Sequence, residues 1–140
     1  MIATLEGTLE YRGSDSIVIA VGGVGFQVSV PGSTLAQLGT VSDRISLHIH
    51  LHLREDNISL YGFASYEELG LFKNLISVSG IGPKVALALL SFLNADQMVV
   101  AITTGNVDVI SQVPGVGRKM ASRLVVELGE KLEKEWKGTV

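Results

Sequence analysis

The spacing of hydrophobic and polar positions changes near residue 64. Over residues 1–63 the apolar residues fall in short β-rich runs: Ile2 to Tyr11, Ser16 to Val21 and Val24 to Val30. Arg12-Gly13-Ser14-Asp15 and Gly22-Gly23 separate these runs, and both have the composition of turns. Pro31-Gly32-Ser33-Thr34 interrupts the pattern, and Thr34-Leu35-Ala36-Gln37-Leu38 predicts one or two helical turns. A strict alternation follows. Ile45, Leu47, Ile49, Leu51 and Leu53 point to one face; Arg44, Ser46, His48, His50 and His52 point to the other. The tight tip Arg54-Glu55-Asp56-Asn57 then returns the chain into Ile58–Phe63. Five or six short strands in this length predict an all-β domain over residues 1–64, a small Greek-key barrel of the OB-fold type.

From residue 65 the period is helical, which predicts an all-α domain over residues 65–140. Ser65-Tyr66-Glu67-Glu68 reads as a capping box, with Ser65 on the N3 amide and Glu68 reaching back. Leu69, Phe72, Leu75 and Ile76 follow at helical spacing. Pro83 suits a first helical position, and Val85–Leu90 is apolar all round and so expected to be buried. Asn94 with Gln97, and then Asn106, mark two further starts. The last helix is expected over Arg118–Trp136, with Ala121, Leu124, Leu128 and Leu132 as its inner stripe. Glu127–Lys131, Glu130–Lys134 and Glu133–Lys137 form favourable i,i+4 pairs on its outer face.

Composition narrows the chemistry. Apolar residues make up 46% of the 140 and charged residues 18%, against roughly a quarter in an average domain. So short and apolar a chain has little interior in which to hide these residues, which predicts a buried subunit interface. There is no cysteine, which removes disulfides, thiolate metal sites and cysteine nucleophiles and fits a reducing compartment. No apolar run reaches the roughly 18 residues of a membrane span, and the N-terminus lacks the pattern of a secretory signal. The expectation is a cytoplasmic protein with no membrane partner. The net charge of −3 is uneven: residues 1–70 carry −5, residues 71–126 carry +3 and residues 127–140 carry −1. A mildly basic module thus follows an acidic one.

The basic module contains an internal repeat. Val78-Ser79-Gly80-Ile81-Gly82-Pro83-Lys84-Val85-Ala86 matches Val113-Pro114-Gly115-Val116-Gly117-Arg118-Lys119-Met120-Ala121 at an offset of 35 residues. Both copies follow one helix and open another. Paired glycines let the chain reverse where side chains would clash. Ile81 or Val116 plugs the core beneath the turn, and Ala86 or Ala121 lets two helices approach. The turn amides and those of the helix start have no helical acceptor and lie at the positive end of the helix dipole. That is a phosphate site, to which Lys84 and Lys119 add charge. It reads the backbone and not the base. A single Gly-x-Gly could merely end a helix; two copies in one frame, sharing the lysine and the alanine, favour the phosphate reading. There is no P-loop sequence, and Gly80-Ile81-Gly82 lacks the third glycine of a dinucleotide fingerprint.

Tandem helix-hairpin-helix motifs behind a small barrel resemble the RuvA family of bacterial Holliday-junction-binding proteins. Further residues join the match: Met1-Ile2-x-x-Leu5-x-Gly7, Val21-Gly22-Gly23-Val24-Gly25-Phe26, Leu53-Arg54-Glu55-Asp56 with Leu60-Tyr61-Gly62-Phe63, and Leu71-Phe72-Lys73-x-Leu75-Ile76. The resemblance covers essentially the whole chain, with the motifs in family order. It implies a homotetramer with a flat basic face, alone or as two face to face, on which a four-way DNA junction lies open as a square for branch migration. Gly80, Gly82 and Lys84 would hold the minor-groove backbone of one arm, as would Gly115, Gly117 and Lys119, with Arg118 and Arg123 as additions. Glu55 and Asp56 would form an acidic pin at the crossover. The resemblance also implies a RuvB-like motor ATPase docked through a third domain, and a RuvC-like resolvase as a further partner. The chain ends at Lys137-Gly138-Thr139-Val140 and looks like the first two domains alone, so motor docking is expected only of a longer form. No catalytic residue, metal or cofactor is implied.

The acid has its own physical logic. Carboxylates repel phosphates, so acid on a DNA-binding face lowers affinity. It serves selectivity if continuous duplex meets the acid and an open junction avoids it. Taken alone, Glu55-Asp56-Asn57 is an ordinary solvated hairpin tip. Three other readings remain open at this point. His48, His50 and His52 share a strand face and could bind zinc, although polar filling of that face is the simpler account. The chain could be a generic, sequence-independent duplex or single-strand DNA binder, with the barrel holding a single strand, although aromatic residues are scarce. The chain could also be an interaction scaffold with no DNA binding at all.

Overall fold

The computed structural model describes residues 1–137, with the side chain of Lys137 excepted. The Glu133–Lys137 pair and Gly138–Val140 therefore lie outside the described residues. The chain divides into two compact units, Met1–Leu69 and the remainder from Gly70. The first holds strands β1 (Thr4–Arg12), β2 (Ser16–Val21), β3 (Val24–Ser29), β4 (Arg44–Leu53) and β5 (Ile58–Phe63), with helix α1 (Gly32–Gln37) between β3 and β4. Helix α2 (Tyr66–Ser77) begins before the division. It is followed by α3 (Pro83–Phe92), α4 (Ala95–Thr103), α5 (Val107–Ser111) and α6 (Arg118–Lys137).

The five strands close into a barrel in the order β1-β2-β3-β5-β4. Neighbours are antiparallel except β3 and β5, which meet in parallel at Ser29 and Tyr61. One long strand serves both sides: Thr4–Thr8 of β1 pair with β4, and Thr8–Arg12 pair with β2. A register shift between Leu9 and Tyr11 bends it between these tasks. Gly7 sits where the backbones are closest, since a Cβ there would lie 2.0 Å from the Ala20 carbonyl oxygen. Gly22 and Gly23, both at positive φ, join Val21 to Val24 in the two-residue turn that suits the twist of a hairpin. The core comprises Leu5, Leu9, Ile17, Ile19, Val28, Val30, Ile45, Leu47 and Ile49.

One expectation for this unit is corrected, and one pattern outruns the core. Ser65 does cap α2, its Oγ accepting from the Glu68 amide at 3.1 Å, but Glu68 does not complete the box. Its carboxylate is buried and accepts from the Ser33 hydroxyl at 2.7 Å and the Thr34 hydroxyl at 3.1 Å. Two O–H donors in a low-dielectric setting outcompete one backbone amide. The alternating apolar face of β4 is not covered along its whole length. Ile45, Leu47 and Ile49 are buried, Leu51 is half-buried, and Leu53 is 69% exposed beside its cross-strand partner Ile58 at 64%. The β4–β5 hairpin outruns the core that its pattern addresses.

In the second unit α4 and α5 both pack on α6. Ala121, Leu124, Leu128 and Leu132 are all buried, as their spacing predicts. Asn94 and Gln97 form a full capping box on α4, with bonds of 2.8 and 3.0 Å, and Asn106 caps α5 through the Val109 amide at 3.2 Å. Gly105, at φ +71°, ends α4: its amide bonds to Ile102 and that of Asn106 to Ala101, a Schellman closure. Helix α3 is less enclosed than its apolar sequence suggests. Ala86, Leu89 and Leu90 are buried, Val85, Leu87 and Ala88 are half-buried, and Phe92 is 51% exposed. A short helix packed on one side cannot bury its whole circumference. Among the described residues no single helix is long and apolar enough to cross a membrane.

Candidate nucleic-acid interface

The repeated segments have the same backbone. Gly80 lies at φ +91° and Gly115 at φ +87°, the left-handed region that favours glycine. In the first copy the Val78 amide bonds to Leu75, Ile81 to Val78 and Ala86 to Gly82, at 3.2, 3.1 and 3.1 Å. In the second, Val113 bonds to Ile110, Val116 to Val113 and Ala121 to Gly117, at 3.2, 3.0 and 3.0 Å. Ile81 and Val116 are both buried, and Ala86 and Ala121 are both inaccessible to solvent. Each hairpin thus has a buried apolar plug and, one turn into the following helix, a fully buried alanine.

The second glycine of each pair has a different reason from the one expected. Gly82 is extended, at φ −92° and ψ 178°, a conformation open to any residue. A Cβ on Gly82 or on Gly117 would meet nothing within 4 Å. Reversal of the chain therefore needs only Gly80 and Gly115. What Gly82 and Gly117 leave is open space against the backbone at a helix start, room for a ligand to approach the amides closely.

The helix starts behind the hairpins carry unusual charge. Acidic residues normally occupy a first turn, where they face the positive end of the dipole. Helices α2, α4 and α5 follow this rule with Glu67 and Glu68, Asp96 and Asp108. Helices α3 and α6 have no acid in the first turn, and each places an exposed lysine at its second position, Lys84 and Lys119. Gly82 gives α3 no side-chain cap and Pro83 has no N–H, so the Lys84 and Val85 amides have no partner in the helix. Cation, dipole and open amides coincide at both starts, an arrangement that an anion relieves.

The two further cations are already engaged. Arg118, at the first position of α6, is ion-paired with Asp108. Arg123 donates from Nη1 to the Ser79 carbonyl at 3.0 Å and so ties α6 to the first hairpin. Neither Asp108 nor the Ser79 carbonyl is foreshadowed by the repeat, because both contacts join positions outside its shared residues. The barrel tip stands apart in chemistry. Arg54 and Asn57 close it through a 2.8 Å backbone bond, and Glu55 and Asp56 are exposed, with no ion pair to either among the described residues.

The outer face of β4 holds a row of rings. His48 meets Tyr66 edge-on at 6.0 Å, His50 and His52 lie 5.7 Å apart, and His52 meets Tyr61 edge-on at 6.2 Å. Among the described residues no three His, Cys, Asp or Glu side chains gather as a metal site would require. A cleft of about 490 Å³ lies where β3 and β5 diverge. Its lining includes Phe26, Leu51 and Leu60 with Gln27 and Ser59, and no charged group. One aromatic ring and no cation make it a poor track for a single strand.

Comparison with known proteins bears on this arrangement. Residues 1–62 match the family described as RuvA N terminal domain, and residues 72–130 match the SAM-like Helix-hairpin-helix tandem. Three relatives are each named Holliday junction branch migration complex subunit RuvA. The chain is 48% identical to that of Dehalococcoides mccartyi over all of its 140 residues and 72% of the relative. It is 47% identical to that of Geobacter sulfurreducens over 96% of the chain and 67% of the relative. It is 38% identical to that of Acetivibrio thermocellus over the same shares, 96% and 67%.

Proposed function

The chain belongs to the RuvA family, and from that premise we propose that it binds four-way DNA junctions and holds them open for branch migration. One observation carries the reading: two hairpins of the same geometry each set a lysine and uncapped amides at a helix start where an acid would ordinarily stand. Each presents a phosphate site, and the pair contacts two phosphates along one duplex arm. Gly80, Gly82 and Lys84 form the first site; Gly115, Gly117 and Lys119 form the second. No recognition element is placed to read base edges, so sequence preference is slight. The role is binding, with chemistry and motion supplied by partners.

Assembly follows from the same premise. Four copies around one junction bring eight hairpins to four arms, and the exposed Glu55-Asp56 tip of each copy faces the crossover. There the carboxylates repel a continuous duplex more than an open junction. A RuvB-like ATPase and a RuvC-like resolvase complete the proposed partners.

The test is a titration of a four-way junction and of linear duplex with the same arm sequences, in moderate salt without divalent metal. The expected result is strong preference for the junction. Replacing Glu55 with Gln and Asp56 with Asn is expected to raise duplex affinity more than junction affinity. Equal binding of both DNAs would reduce the hairpins to generic phosphate sites.

A further inference from the structure

We propose that Asp108 is a built-in competitor for the anion taken by the second hairpin, holding Arg118 until a DNA phosphate replaces it. This rests on the DNA-binding reading above and adds a residue to it. Arg118 Nη1 donates to Asp108 Oδ1, and the two side chains are 69% and 78% exposed, so the pair lies on the surface. Its backbone placement is nevertheless fixed. Asp108 lies in the first turn of α5, which Asn106 caps and which packs on α6 with Ile110 fully buried. Arg118 opens α6 directly after Gly117, next to Lys119.

Among the described residues the first hairpin has no such device. In the frame of the repeat, Lys73 stands 35 residues before Asp108 and Pro83 stands 35 before Arg118. A carboxylate and a phosphate present a guanidinium with similar oxygen acceptors, so they compete for the same N–H groups. An exposed pair of this kind is weak, and phosphate can displace it. While the pair is closed, Lys119 is, among the described residues, the cation at this helix start that no ion pair holds. When phosphate arrives, Arg118 changes partner and the exposed Asp108 carboxylate returns to water. The second hairpin is therefore the releasable contact and the first the standing one, a division suited to DNA that must slide.

The experiment compares the unmodified chain with Asp108→Asn, Arg118→Gln and the double variant. Each is titrated with the junction and with duplex over a series of monovalent salt concentrations, and thermal melting verifies that each is folded. Asp108→Asn is expected to tighten binding about two- to fivefold. It should also steepen the log–log salt dependence by up to about one unit. Arg118→Gln should weaken binding, and Asp108→Asn should then add nothing. Weaker binding by Asp108→Asn would show that the carboxylate positions Arg118, and a gain that persists without Arg118 would reduce it to general repulsion; either overturns the proposal. Unchanged binding by Asp108→Asn beside intact junction preference overturns this inference alone. Loss of junction preference in the unmodified chain overturns the junction reading, while the Asp108 effect is still read on duplex. No binding to either DNA overturns both.

Discussion

The two hairpins share a backbone and differ in charge. The first sets Pro83 and Lys84 at its helix start, with Lys73 on the preceding helix. The second sets Arg118 and Lys119 there, with Asp108 on the preceding helix and closed onto Arg118. Buried positions agree in character: Val78 with Val113, Ile81 with Val116, Ala86 with Ala121. Outside them the exposed Lys84 and Lys119 agree, while Lys73 against Asp108 and buried Pro83 against exposed Arg118 diverge. Packing therefore preserves the hairpin as a shape, and what each shape holds is set by side chains that packing does not constrain. A repeat of this kind is two copies of one scaffold with separately adjustable affinities.

The largest expected effect removes the charge common to both. Lys84→Ala with Lys119→Ala should weaken junction binding about tenfold or more, and flatten its salt dependence by up to about two units of log–log slope. The single variants sharpen the comparison. Lys84 is the one cation within the first turn of α3 itself, since Pro83 supplies neither charge nor N–H, whereas Arg118 stands beside Lys119 in the first turn of α6. Lys84→Ala should therefore cost more than Lys119→Ala. Equal losses would mean that Arg118 offers no reserve, and an unchanged slope in the double variant would remove both lysines from the DNA.

Next in size are the glycines, which separate shape from contact. Gly80→Ala or Gly115→Ala forces a Cβ into left-handed backbone and should each cost about 1–2 kcal/mol of stability in urea unfolding. Gly82→Ala and Gly117→Ala meet open space, so stability should change by only a few tenths of that while junction affinity falls. Should Gly82→Ala instead unfold the chain and leave affinity intact, the second glycine would belong to the scaffold after all.

Much of this was legible in the sequence because it is local or periodic. The limits of β2, the tip at Arg54–Asn57, the helix start at Asn94 with Gln97 and the stripe of α6 each need only neighbours in the chain. The repeat placed both hairpins before any geometry was known. What the sequence hid is contact between distant polar groups. Ser65 and Glu68 spell a capping box, yet Glu68 is taken by Ser33 and Thr34, more than thirty residues earlier. Leu53 continues a clean alternation, yet the core ends before it does. Asp108 carries no pattern that points to Arg118. Spacing rules describe one element at a time, and these residues are governed by a second element that spacing does not mention.

The smallest expected effect concerns the brace between the copies. Arg123 leaves α6 one turn after Lys119 and donates to the carbonyl of Ser79, the residue before left-handed Gly80. A Cβ on Gly80 would come within 3.6 Å of the same guanidinium nitrogen. On the proposed reading, this contact holds one hairpin against the other at a spacing that matches two phosphates along one arm. Arg123→Lys keeps the charge but loses the fixed planar donor, so the salt slope should hold while affinity falls by about 1 kcal/mol. Arg123→Ala should fall further. A slope that drops by about one unit in Arg123→Ala yet is restored in Arg123→Lys, with affinity restored too, would assign Arg123 to phosphate instead of to the brace.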